Sequence, residues 1–96
     1  MTPFDVIDIC SWTFHVDGNA LMGRVRTPNV VASRQAAMAL VYKYFPWSST
    51  EVGSLFDRDH TTVLYARDRV ENRNETGDPA RELFDIAEEE VKRRLT

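Results

Sequence analysis

The sequence contains little cysteine and no long hydrophobic run, and each absence excludes a class of protein. The single cysteine, Cys10, cannot form an internal disulfide, which suits a reducing cytoplasm, and its apolar surroundings predict a buried side chain. No stretch of about 18 apolar residues is present, so we expect no membrane span. The N-terminus also lacks the basic start and apolar core of a signal peptide. We therefore expect a cytoplasmic protein.

Residues suited to catalysis or metal binding are equally scarce. Two histidines and one cysteine leave no metal-ligand spacing, and the four glycines form no phosphate-binding loop. Asp59 and His60 are sequence neighbours, so on a helix their side chains should point in different directions and not form a carboxylate-oriented base. We expect neither an enzyme nor a bound cofactor.

Charge is unevenly distributed along this chain of net charge −3. Residues 1–23 hold three acidic side chains and no lysine or arginine. Residues 24–70 hold seven basic and four acidic side chains, and residues 71–96 hold five basic and eight acidic ones. A nucleic acid responds to the field at the docking face rather than to the net charge, so the basic middle of the chain keeps DNA binding open. Nonspecific affinity should be weak and sensitive to salt.

Apolar residues recur at helical spacing throughout, and no alternating strand pattern is present. We expect an all-α, compact domain of five to six helices that spans residues 1–96, without repeats. The central helix should run from about Val31 to Phe45, with Ala37, Leu40 and Val41 facing the core. The expected helices lie at about 3–15, 20–22, 31–45, 48–56, from Asp59 to beyond Val70, and 80–95, with a polar break around residues 72–78. The expected inward positions of the last two helices are Val63, Ala66 and Val70 in the first of them and Leu83, Ile86, Ala87 and Val91 in the second.

Two of these helices form a predicted helix-turn-helix. The first is amphipathic and can begin with a capping box, because Glu51 lies three residues after Ser48. Only Asp57 and Arg58 separate it from a helix that Asp59 can cap, which leaves room for a tight corner alone. In such a unit the second helix enters the major groove with its N-terminal residues at the base edges.

Three motifs resemble those of the C-terminal DNA-binding domain of the DnaA family of bacterial replication initiators. They are Arg34-Gln35 with Ala37-Met38, Glu51-Val52-Gly53 with Leu55-Phe56, and the run Arg58-Asp59-His60-Thr61-Thr62-Val63-Leu64. The resemblance covers about residues 4–73, and the acidic helix in residues 74–96 aligns only loosely. It implies a helical domain that binds double-stranded DNA at short, asymmetric sites.

The resemblance also implies a role for individual residues. Base-reading positions in the major groove would be Asp59, His60 and Thr61. Phosphate contacts would be Arg34, Gln35 and Thr62. Arg26, in the basic loop before the central helix, would enter the adjacent minor groove. The remaining candidate DNA-contacting residues are Ser49, Thr50 and Arg58.

The chain departs from the family pattern in several places, among them Tyr42, Tyr65 and Ser33, and two departures concern the helix-turn-helix corner and its first helix. The family's turn carries two glycines, whereas Phe56-Asp57-Arg58-Asp59 is one residue shorter and contains none. Ser49-Thr50 replaces a Leu-Pro pair, which implies the loss of an apolar contact to a base or to the DNA backbone. The ATPase domain of these initiators has no counterpart here, so we expect regulation of replication or transcription without ATPase activity.

Several alternatives remain open. Asp59 can act simply as a helix cap, and Arg26, Arg34 and Gln35 can be ordinary surface residues. The whole chain can be a protein-interaction module that keeps the fold without binding DNA, for example with a replication or transcription protein as its partner. We expect a monomer or a weak dimer. The aromatic residues are expected in the core; they are Phe4, Trp12, Phe14, Phe45 and Trp47, of which Trp47 is expected to be the most exposed.

Overall fold

A computed structural model describes residues 1–72 and 78–96. Within these ranges all regular secondary structure is helical, which confirms the predicted fold class. The predicted polar break around residues 72–78 lies largely outside the described residues. The helices are α1 (Pro3–Phe14), α2 (Gly18–Met22), α3 (Pro28–Tyr44), α4 (Ser49–Phe56), α5 (His60–Glu71) and α6 (Pro79–Leu95).

Helix α3 is the centre of the fold and packs against the other five helices. Ala37, Leu40 and Val41 are fully buried, as their spacing predicted. Cys10 of α1 is buried in the same core, and burial raises the pKa of its thiol to about 12. It is therefore an inert apolar residue rather than a reactive thiol.

The predicted start of α3 was three residues too late. The helix begins at Pro28 instead of Val31, with Thr27 as an extended N-cap residue. Proline is well suited to this first helical position, because its missing N–H would have no intrahelical partner there. As a consequence Arg34 and Gln35 lie near the end of the second turn of α3 and not in its first turn.

The predicted inward face of α6 was partly wrong. Ala87 and Val91 are buried as expected, but the third buried residue is Phe84. Ile86 is 54% exposed. The helix is therefore rotated toward a face that buries the larger aromatic side chain.

Two of the five aromatic predictions were also wrong. Phe4 is 61% and Trp12 82% exposed, because α1 buries Val6, Cys10 and their neighbours on its other side. Phe14 is buried, whereas Phe45 and Trp47 are half-buried and pack against the core. The expectation that Trp47 is the most exposed of the five was therefore wrong as well, since Trp12 is. None of the described helices is long and apolar enough to cross a membrane.

Candidate nucleic-acid interface

The first turn of α5 presents three polar side chains to solvent. Asp59, His60 and Thr61 are exposed, and Thr62 is half-buried behind them. Below them Val63, Ala66 and Val70 anchor the helix in the core, as predicted. A helix held from below in this way can insert its exposed first turn into a groove without rearrangement.

Asp59 is the N-cap of α5. Its Oδ1 accepts a hydrogen bond from the Thr61 N–H at 3.2 Å, and its backbone oxygen accepts one from the Thr62 N–H at 3.0 Å. The hydrogen bond from the Thr61 N–H lowers the pKa of Asp59. The capping alternative for Asp59 is thus present in the structure, and a carboxylate oxygen can still accept from a cytosine amino group.

His60 contacts the same carboxylate, contrary to the expectation from sequence adjacency. Its Nδ1 lies 2.8 Å from Asp59 Oδ1. The expectation was wrong because Asp59 precedes the helix in an extended conformation, so the 100° rotation between helical neighbours does not apply. The contact places the imidazole of His60 beside the Asp59 carboxylate, so both side chains lie together at the exposed first turn of α5.

The preceding helix begins with the predicted capping box. The Glu51 N–H donates to Ser48 Oγ at 3.1 Å, and the Ser48 N–H donates to Glu51 Oε1 at 3.0 Å. Ser49 and Thr50 follow in the first turn of α4, where Ser49 is half-buried and Thr50 exposed. Both candidates thus lie at the N-terminal end of the first helix of the motif.

The corner between α4 and α5 depends on two residues with special backbone requirements. Asp57 adopts the left-handed conformation, at φ 55° and ψ 48°, which favours glycine and is uncommon for other residues. Gly53 allows the chain to pass close by, since a Cβ at this position would lie 2.5 Å from the backbone oxygen of Arg58. The Gly53 oxygen accepts a hydrogen bond from the Arg58 N–H at 2.8 Å, which closes the turn.

Arg34 is placed neither as a surface phosphate contact nor as an ordinary surface residue would be. Its side chain is buried, with the residue only 6% exposed. Nε donates to the Leu21 oxygen at 2.7 Å, and Nη2 donates to the oxygens of Ala20 and Val25 at 3.0 and 2.9 Å. Arg34 therefore satisfies carbonyls at the end of α2 and in the loop that follows. Gln35, beside it, is half-buried.

Arg58 also binds backbone oxygens. Its Nη2 donates to the Gly23 oxygen at 2.6 Å and its Nη1 to the Phe56 oxygen at 2.8 Å. Arg24, from the same loop as Gly23, forms an exposed ion pair with Asp57 at 3.0 Å. Both contacts join the basic loop to the turn of the helix-turn-helix.

Arg26 projects from this basic loop and is exposed. Over the ranges 1–72 and 78–96 it makes no hydrogen bond or ion pair, so its guanidinium is available to a ligand. Burial lowers the pKa of Arg34, and the positive charges of Arg58, Arg24 and Arg26 lower it further. The arginines thus share one positive region beside the turn, with Asp57 as its adjacent negative charge.

Comparison with known proteins identifies similar sequences. Residues 3–70 match the family described as the helix-turn-helix of the bacterial DnaA protein. The chromosomal replication initiator protein DnaA of Thermus thermophilus is 41% identical over 70 residues, which cover 72% of this chain and 16% of that protein. The corresponding protein of Corynebacterium jeikeium is 34% identical over 90 residues, which cover 93% of this chain and 15% of that protein. The chain thus spans less than a fifth of the length of these relatives.

Proposed function

Since this chain belongs to the bacterial DnaA helix-turn-helix family, we propose that it recognises specific sequences in double-stranded DNA through the first turn of α5. The observation that carries this proposal is the exposed row Asp59, His60 and Thr61 at the start of a helix whose opposite face is buried. These side chains offer a carboxylate, an imidazole and a hydroxyl with a methyl group, which suit the donors, acceptors and thymine methyls of the major groove.

The remaining candidates divide between two other roles. Arg26 extends from the basic loop and suits an electronegative minor groove. Thr62, Gln35, Ser49 and Thr50 are proposed to lie near the DNA backbone, where contacts set the register of the protein.

The biological role proposed is regulation of replication or transcription by occupancy of DNA sites, without ATPase activity. An asymmetric site can be bound by one copy of the chain, so a monomer or weak dimer is sufficient. The proposed location is the cytoplasm, where the chromosome of a bacterium is accessible.

The alternative function is a protein-interaction module that keeps this fold without DNA binding. The exposed Trp12 and Ile86, which line one groove between α1 and α6, favour this alternative, because large apolar side chains that share an exposed surface are characteristic of protein contacts. A module of that kind would be indifferent to the loss of Arg26. A DNA-binding protein would lose affinity.

The experiment that tests the proposal is selection of bound sequences from a random duplex pool, at low and near-physiological salt. Enrichment of one motif that survives the higher salt is the expected result. A lack of enrichment at either salt would refute sequence-specific binding. The Arg26→Ala variant, measured on the enriched duplex, then separates the two functions.

A further inference from the structure

Two arginines that the family resemblance assigns to the DNA interface are occupied by the protein's own backbone. Arg34 holds three carbonyl oxygens, those of Ala20, Leu21 and Val25, at distances of 2.7 to 3.0 Å. The oxygen of Val25 belongs to the residue directly before Arg26. The buried guanidinium therefore determines where the chain leaves α2 and where the Arg26 backbone begins.

Arg58 fixes the same segment from the other side. It joins the Gly23 oxygen, at the start of the basic loop, to the Phe56 oxygen, at the end of α4. Arg58 directly precedes Asp59, the cap of α5. The Arg58 side chain thus couples the position of the basic loop to the position of α5.

We propose that Arg34 and Arg58 are positioning residues that hold Arg26 in a fixed place relative to the first turn of α5, and that they do not themselves neutralise phosphates. The inference rests on the proposed function, because it concerns how one protein surface reaches two grooves at once. It replaces the phosphate role that the resemblance implies for Arg34.

The chemistry of these contacts requires arginine. A guanidinium is planar and offers five N–H donors in a fixed fork, so it can bind several carbonyls that surround it. A lysine at the same position keeps the charge but concentrates its donors at one nitrogen. Removal of the fork would leave carbonyls of the α2 end and the loop without partners, and the loop would be less ordered before it meets DNA.

The order of the loop matters for affinity, because a loop that becomes ordered only on binding loses conformational entropy and therefore binds more weakly. Arg26 in a preformed position loses little conformational freedom when it enters a groove. Nearby positive charge opposes the burial of Arg34, since Arg24, Arg26 and Arg58 all lower its pKa. Burial of a charge beside like charges costs free energy, so stabilisation of the fold alone does not account for Arg34. A role in holding the loop in a fixed geometry does.

The test is a double-mutant cycle on a selected duplex, using wild type, Arg34→Lys, Arg26→Ala and the double variant. We expect Arg34→Lys to weaken binding by at least about fivefold, which is the lower end of the effect of losing one specific contact. The loss should not exceed that of Arg26→Ala, because Arg34 acts only through Arg26. In the Arg26→Ala background the same change should have less than about twofold effect, because there is no longer an arm to position. The dependence of affinity on salt should stay the same in Arg34→Lys, since the charge remains.

Equal effects of Arg34→Lys on affinity in the wild-type and Arg26→Ala backgrounds would overturn the inference. So would an Arg34→Gln variant whose affinity depends less on salt by the amount expected for one lost phosphate contact. Failure of the wild type to bind any duplex would instead refute the proposed function, and the inference would fall with it. Arg69→Lys is the matched control, because Arg69 is exposed on α5 outside the loop contacts; it should change affinity little in either background.

Trypsin cleavage measures the loop without DNA. Cleavage after Arg24 and Arg26 should be faster in Arg34→Lys than in wild type, while cleavage after Arg93 and Arg94 on α6 should be unchanged. Arg58→Lys provides a second variant in case Arg34→Lys does not fold, because Arg58 is half-exposed and its loss leaves the core intact. It should give the same faster cleavage and the same coupling to Arg26→Ala. Unchanged cleavage in folded variants would contradict the inference.

Discussion

Gly53→Ala should destabilise the protein, although alanine normally favours a helix. The added Cβ would lie 2.5 Å from the Arg58 oxygen and 3.3 Å from the Asp59 carbonyl carbon, both of them backbone atoms. Ordinary contact needs roughly another 1 Å, so the turn must move away from α4. Overpacking of this kind lowers the free energy of unfolding by about 1–3 kcal/mol, and the higher helix propensity of alanine raises it by somewhat less than 1 kcal/mol. Since a backbone-backbone clash is not relieved by a rotamer change, we expect a net loss of about 1–2 kcal/mol.

The assay is urea unfolding followed by circular dichroism, with thermal unfolding as a second measure. A loss of about 1–2 kcal/mol in a domain of this size should lower the Tm by roughly 5–15 °C. Gly18→Ala is the matched control, because the nearest atom to its added Cβ is Ser11 Oγ at 3.9 Å; it should be neutral or stabilising. A Gly53→Ala variant as stable as wild type would show that the close approach in the turn does not constrain this position.

Three further predictions concern charged side chains. Glu88→Gln should destabilise the protein by about 1 kcal/mol, measured by urea unfolding. Glu88 Oε2 accepts hydrogen bonds from Lys43 Nζ and Tyr44 Oη, both at 2.7 Å. A charged acceptor forms stronger hydrogen bonds than the neutral amide that replaces it. Burial raises the pKa of Glu88, but these hydrogen bonds outweigh it and leave the pKa below 4.5. The stability difference between wild type and Glu88→Gln should therefore be complete above that pH and shrink as the pH falls through the folded-state value; a difference constant with pH would contradict the charged pair. Asp57→Asn should raise DNA affinity by about 1.5- to 5-fold, the strength of an exposed ion pair, because it removes a negative charge beside the arginines and frees Arg24. Unchanged affinity in a duplex titration would show that this charge does not act on bound DNA.

Local signals in the sequence were sufficient to predict much of the helix-turn-helix. Ser48 and Glu51 form their capping box and Asp59 caps α5, because each of these contacts joins residues within one helical turn. The buried positions of α5 followed from the helical period alone. The exposed first turn of α5 was thus predictable from neighbouring residues.

The placement of Arg34 could not be predicted in this way. Its partners lie 9 to 14 residues earlier in the chain, and nothing in the local sequence shows that a guanidinium will be buried among them. The same limit explains Trp12 and Phe84. Which side of a helix is buried depends on the neighbours that pack on it, and hydrophobicity alone favoured the wrong side for both aromatic residues.

The central claim is that His60 and its neighbours read base sequence. Its most direct test compares the affinity of wild type and His60→Ala for a selected duplex and for a scrambled duplex of the same composition. Base reading predicts a loss of roughly 1–3 kcal/mol on the selected duplex and a much smaller change on the scrambled one. An equal loss on both duplexes, or no loss on either, would contradict the claim.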